Sequence, residues 1–138
     1  MKSKYKAMVL SCMDPRFQLP VFKFIKKKNL VNKYSSFTIA GAAVGVTHLK
    51  FKKWHRAFLD NLKTSIELHK IEKLIVVNHE DCGAIKLAEN KKNYDEKTIH
   101  NNSFQKLEKI INKKFPKIKL EFYIIKLNQK VLRVNSLK

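Results

Sequence analysis

The residues Leu74–Val77 (LIVV) are aliphatic without a break, and Asn78 and His79 follow at once. A strand with one wet face alternates apolar and polar side chains, whereas a short unbroken aliphatic run buries both faces. Burial on both faces calls for helices above and below a sheet, which commits the chain to a layered α/β arrangement. Other runs fit the same layer. Lys6–Cys12 (KAMVLSC) reads as a buried strand, and SSFTIAGAAVG from Ser35 reads as a strand running into a glycine-containing loop. Lys117–Leu127 (KIKLEFYIIKL) supplies a fourth strand, and KVLRV from Lys130 a small edge strand.

Helical periods separate these runs. A helix is expected from about Leu19, with Pro20 tolerated in its first turn. Trp54, Phe58, Leu62 and Ile66 recur every four residues, with Leu59 alongside, as one core-facing stripe on a helix across Lys50–Lys70. CGAIKLAENKK from Cys82 reads as a short helix. Asp95–Phe115 reads as a longer one, with Phe104, Leu107, Ile110 and Ile111 inward and Pro116 marking its end. The alternation predicts a mainly parallel sheet of four to five strands flanked by helices, in one domain over residues 1–138.

Charge narrows the partners. The formal net charge is +19, but among the 30 basic residues only Arg16, Arg56 and Arg133 are arginines. The lysines are scattered along the chain, and no stacking-aromatic or recognition-helix pattern accompanies them. They read as a solvated surface, and nucleic acid is not an expected partner. No apolar run approaches a membrane span, and the run before Asp14 is too brief for a signal peptide. A cytoplasmic protein is expected. In a reducing compartment its two cysteines serve as ligands, catalytic groups or core residues rather than a disulfide.

Their positions choose among these. Sites in open parallel sheets form beyond the carboxyl ends of strands. Cys12 ends the first expected strand, His79 ends the LIVV strand, and Cys82 follows at the start of a helix, where the dipole favours a thiolate. Pro15 keeps Asp14 extended, so Cys12, Asp14 and Arg16 can project from one side. Two thiolates, an imidazole and a carboxylate suit Zn²⁺, whereas magnesium and calcium want oxygen ligands.

The pair "CMDPR" and "HEDCG" resembles the C-x-D-x-R and H-x-x-C-G motifs of the β-class carbonic anhydrases. The resemblance runs from about Ala7 to Ala88. It implies that family's parallel-centred α/β fold and one zinc held by Cys12, His79 and Cys82, with water or Asp14 in the fourth position. It implies that Asp14, drawn off the metal by Arg16, orients a zinc-bound hydroxide that hydrates CO₂ to bicarbonate. A homodimer or higher homo-oligomer is also implied. Related enzymes of this fold hydrolyse other heteroallenes, CS₂ or COS, and a non-catalytic zinc domain of the same fold is the remaining alternative. Where the family usually carries Arg-Asn-Ala-Gly, this chain reads Thr38, Ile39, Ala40, Gly41, and no glutamine precedes Cys12.

The remaining polar residues attract blander expectations. Glu80 is redundant as a ligand, and Asp81 suits a helix cap. His69 and His100 stand outside any motif. His48 and His55, after the glycine-containing loop, are the two considered as proton carriers.

Overall fold

The computed structural model describes residues 4–90 and 93–135. Its strands are β1 (Ala7–Ser11), β2 (Tyr34–Thr38), β3 (Lys73–His79), β4 (Lys119–Ile125) and β5 (Val131–Arg133). They form one sheet in the order β2-β1-β3-β4-β5. The first four are mutually parallel and β5 runs antiparallel to β4. The helices are α1 (Gln18–Lys27), α2 (Ala43–Thr47), α3 (Lys52–His69), α4 (Gly83–Glu89) and α5 (Glu96–Lys114). This is the expected α/β architecture, with five strands. Lys91 and Lys92, part of the expected helix after Cys82, lie outside the described residues.

The aliphatic run behaves as its composition demands. Leu74 and Val76 join Met8, Leu10 and Phe122 under Phe58, Leu62, Phe104, Leu107 and Ile111 of α3 and α5. Ile75 and Val77 face the other way, with Val9, Tyr123 and Ile125, against Phe17, Val21, Phe24 and Ile25 at α1. Each β3 side chain from Leu74 to His79 is therefore buried, whichever face it takes. Strand β2, at the edge, is only half-buried.

Two local readings need correction. The stretch after β2 is not all loop, because Ala43–Thr47 winds into a helix whose five residues are all buried. A segment this short and buried all round shows no polar face, so periodicity cannot reveal it. The stripe on α3 also shifts. Phe58 and Leu62 are fully buried, but Trp54 is only half-buried and stacks on Phe51 at 4.6 Å, in a separate cluster with Cys82 and Ile85. Ser65 takes a buried position instead, bonded to Ser35 across 2.6 Å. Among the described residues no helix is long and apolar enough to cross a membrane.

Glu121 of β4 carries an ion cluster away from the cysteines. Its side chain is 11% exposed, with Lys73 Nζ at 2.7 Å and Lys28 Nζ at 3.5 Å. The Tyr123 hydroxyl donates to it as well. Burial pushes this carboxyl up, but Lys73, Tyr123 and Lys28 outweigh it and hold the group down at about 2. A group depressed in the folded state contributes stability above its unfolded pKa, about 4.3 for glutamate, and loses it as pH falls further. Glu121→Gln is expected to cost on the order of 1–3 kcal/mol at neutral pH. Its deficit against the parent chain should shrink between about pH 4.3 and 2. Urea titrations of both proteins across that range check this, and a deficit that does not change with pH would refute it.

A second expectation concerns α2. A Cβ added at Gly45 would meet the Ala40 carbonyl oxygen at 2.0 Å. The obstructing atoms belong to the Ala40 backbone and not to a flexible side chain, so Gly45→Ala should destabilise by about 1–3 kcal/mol or more. A thermal melt within a degree or two of the parent would contradict this packing.

Candidate metal centre

The sheet order places the site. Strand β2 lies on one side of β1 and β3 on the other, so the chain reverses its direction of winding between β1 and β3. At such a switch point a crevice opens beyond the carboxyl ends of the strands. Cys12 immediately follows β1, His79 is the last residue of β3, and Cys82 directly precedes α4. Their ligand atoms all lie within 4.8 Å of one another, and all three residues are buried.

Several contacts suit this cluster to a cation. His79 Nδ1–H donates to the Glu80 carbonyl at 2.7 Å, which leaves the lone pair on Nε2. That nitrogen is buried with no hydrogen-bond partner. A buried acceptor left alone costs about 1–3 kcal/mol, so the site is built for something to occupy it. Phe17 stacks on the imidazole at 4.2 Å and fixes its plane. Cys12 Sγ accepts the Gly41 N–H at 3.3 Å.

The two sulfurs influence each other. A hydrogen bond from Cys82 draws the Cys12 thiol well down against the cost of burial, aided by His79 and the Gly41 N–H. Cys82 is driven the opposite way by Cys12 and by burial. Burial opposes charge on His79, but neighbouring Cys12 and the Glu80 carbonyl outweigh it and push the imidazole up. The pocket favours positive charge.

Asp14 stands beside the cluster rather than within it. Its backbone is extended, at φ −54° and ψ 123°, as Pro15 requires. Arg16 is not extended. It lies in a 3-10 turn over Pro15–Phe17 and folds back, so strand-like alternation does not bring the two together. Asp14 Oδ1 accepts the Arg16 backbone N–H at 2.9 Å, and Oδ2 takes Nη2 at 2.8 Å. These bonds hold the Asp14 carboxyl below its ordinary range. Oδ2 lies 3.8 Å from His79 Nε2.

Arg16 also reaches the second motif. Nη1 bonds Asp81 Oδ2 at 3.0 Å, and Nη2 bonds the Asp81 carbonyl at 2.9 Å. Asp81 is therefore not the cap of α4. Arg16 and Lys86 claim its carboxylate, and the capping position belongs to Cys82, whose side chain makes no cap bond. Glu80 turns outward to Lys126 and the Leu127 N–H.

The other expected residues stay apart from the cluster. His48 binds Glu89 at 3.1 Å and accepts the Lys50 N–H, while His55 bonds the His48 carbonyl. Three contributors escaped the sequence reading. Gln18 pins the first loop by donating to the Cys12 and Asp14 carbonyls at 2.9 and 2.8 Å. Asn78 and His100 bond each other at 2.8 Å in the interior behind the site. The one signal for Asn78 was an amide in an otherwise aliphatic strand. Gly41 was expected only as part of the glycine-containing loop after the second strand. Its φ of +83° and a neighbour at 2.9 Å from any added Cβ show why a side chain is excluded there.

Comparison with known proteins agrees with this geometry. The family model described as "Putative carbonic anhydrase" matches residues 1–135. An uncharacterised protein of Rickettsia bellii is 28% identical over 125 residues, covering 88% of this chain and 76% of that protein. A counterpart from Rickettsia conorii is 26% identical, covering 88% and 67%. Among solved structures, the β-carbonic anhydrase CafA of Aspergillus fumigatus superposes with a TM-score of 0.62 at 7% identity, over 96% of this chain and 76% of that one. CafD of the same fungus gives 0.61 at 8%, over 95% and 90%. A tetrameric β-carbonic anhydrase of Sordaria macrospora gives 0.59 at 7%, over 98% and 83%. With a five-stranded sheet of this order, its buried Cys12–His79–Cys82 cluster and the family match along nearly its whole length, the chain belongs to the carbonic anhydrase family so described and has the β-carbonic anhydrase fold.

Proposed function

We propose that the whole chain acts as one zinc domain that hydrates CO₂ reversibly to bicarbonate and a proton. The observation that carries this reading is the orphaned His79 Nε2 gathered with two thiol sulfurs in a buried cluster. Two sulfurs and one imidazole are a zinc donor set, and three protein ligands leave one of four positions open, as catalysis requires. Zinc held by Cys12, His79 and Cys82 would lower the pKa of a bound water toward about 7, supplying the nucleophile that CO₂ needs at neutral pH.

The chain's own residues do the rest. Arg16 keeps Asp14 ionised and engages both its oxygens, so the carboxylate stands ready at the cluster's edge as a hydrogen-bond acceptor. An acceptor at Oδ2 orients the attacking oxygen and leaves its lone pair for carbon. Phe17 and the Gly41 turn restrict solvent around the cluster. The unpaired thiols suit a reducing cytoplasm. A homo-oligomer is supported by the tetrameric Sordaria macrospora neighbour of the same fold.

The short distance from Asp14 Oδ2 to His79 Nε2 favours one second reading, a permanently closed Cys₂HisAsp site without turnover. Zinc content and stopped-flow CO₂ hydration on one sample separate the two. The expected result is one zinc per chain with hydration, loss of both in Cys12→Ser, and zinc retained in Asp14→Ala with activity down about a hundredfold or more. Full hydration by Cys12→Ser would overturn the proposal. Stoichiometric zinc without turnover from about pH 6 to 9 would establish the closed site instead.

A further inference from the structure

We infer that Glu96, with His100 and Asn78 behind it, is a positioning residue that sets both thiols of the metal centre from helix α5. This rests on the metal-site reading above. Asn78 is 1% exposed, and an amide buried so deeply must have its polar atoms satisfied. Its Oδ1 accepts the Ala43 N–H at 3.0 Å, and its Nδ2 donates to His100 Nδ1 at 2.8 Å. With Nδ1 accepting, the His100 proton resides on Nε2. That nitrogen is buried without a hydrogen-bond partner and lies 3.6 Å from Glu96 Oε1. The same Oε1 accepts the Cys82 N–H at 2.8 Å.

Helix α5 thus holds the site at two points. Glu96 fixes the Cys82 backbone where α4 begins, supplying the acceptor that no local side chain provides. Through His100 and Asn78 the same helix fixes Ala43, two residues beyond the Gly41 N–H that bonds Cys12 Sγ. Helix stability alone asks only for a negative charge at the start of α5. It does not ask for a carboxylate oxygen against the N–H of a cysteine fourteen positions earlier.

The test uses the full chain, stripped of metal, with zinc affinity measured by chelator competition and the cobalt–thiolate absorption band recorded on the Co²⁺ form. Glu96→Asp keeps the charge at the helix start but withdraws the oxygen from Cys82. Glu96→Gln keeps the oxygen and removes the charge. Thr98→Ala removes an exposed side-chain bond to Asp95 in the same helical turn. Positioning residues around metal ligands contribute about ten- to a hundredfold in affinity, so Glu96→Asp should weaken zinc by at least about tenfold and shift the cobalt band. Glu96→Gln and Thr98→Ala should stay within about threefold of the parent. The reverse order, with Glu96→Asp harmless and Glu96→Gln impaired, would show a helix-dipole role and overturn the inference. Equal affinities in all variants would overturn it too and leave the metal site standing. A parent chain that binds neither metal would overturn both.

Discussion

The parallel pairing of β1 with β3 is the constraint on which the site depends. Ser11 sits opposite Val77 in that ladder, so Cys12, just past β1, and His79, at the end of β3, emerge close together. Without this pairing Cys12 and His79 are separated by about half of the chain. The pairing is secured by burial rather than by anything at the site. Leu10 and Val76 are fully buried on one face, Val9 and Ile75 on the other, and a one-residue slip would exchange these faces. The Cys12–His79–Cys82 cluster is thus a by-product of two hydrophobic cores that agree on one register.

Electrostatics complete what packing begins. Arg16 ties the first motif to the second through Asp14 and Asp81, and neither contact needs a metal. The acidic partners lie close to the cluster, although the chain as a whole is strongly basic. A formal charge of +19 therefore describes the surface and not the site. The two sulfurs and His79 occupy a local environment that favours cations inside a protein that, seen from afar, repels them.

Much of this was legible in the sequence because long-range order and local chemistry coincided. The LIVV run demanded a sheet covered on both faces, and the motif residues fell at the ends of apolar runs. What escaped detection depended on geometry that no spacing encodes. Helix α2 hid because AVGVT is buried all round and shows no amphipathic period. Asp81 looked like a cap by position, but Arg16, 65 residues away in sequence, claims its carboxylate. Trp54 kept its place in the four-residue rhythm yet left the main core, because α3 begins beside Phe51 rather than over the sheet.

That displacement of Trp54 has an optical consequence. It is the single tryptophan of the chain, half-buried, stacked on Phe51 and packed in the same small cluster as Cys82 and Ile85. The tyrosines include Tyr123, in the opposite core beneath α1. Light absorbed and emitted by the indole therefore reports on the rim of the cysteine cluster, separately from the sheet. The molecule carries its own built-in fluorophore for following, in real time and without a label, what enters or leaves that end of the fold.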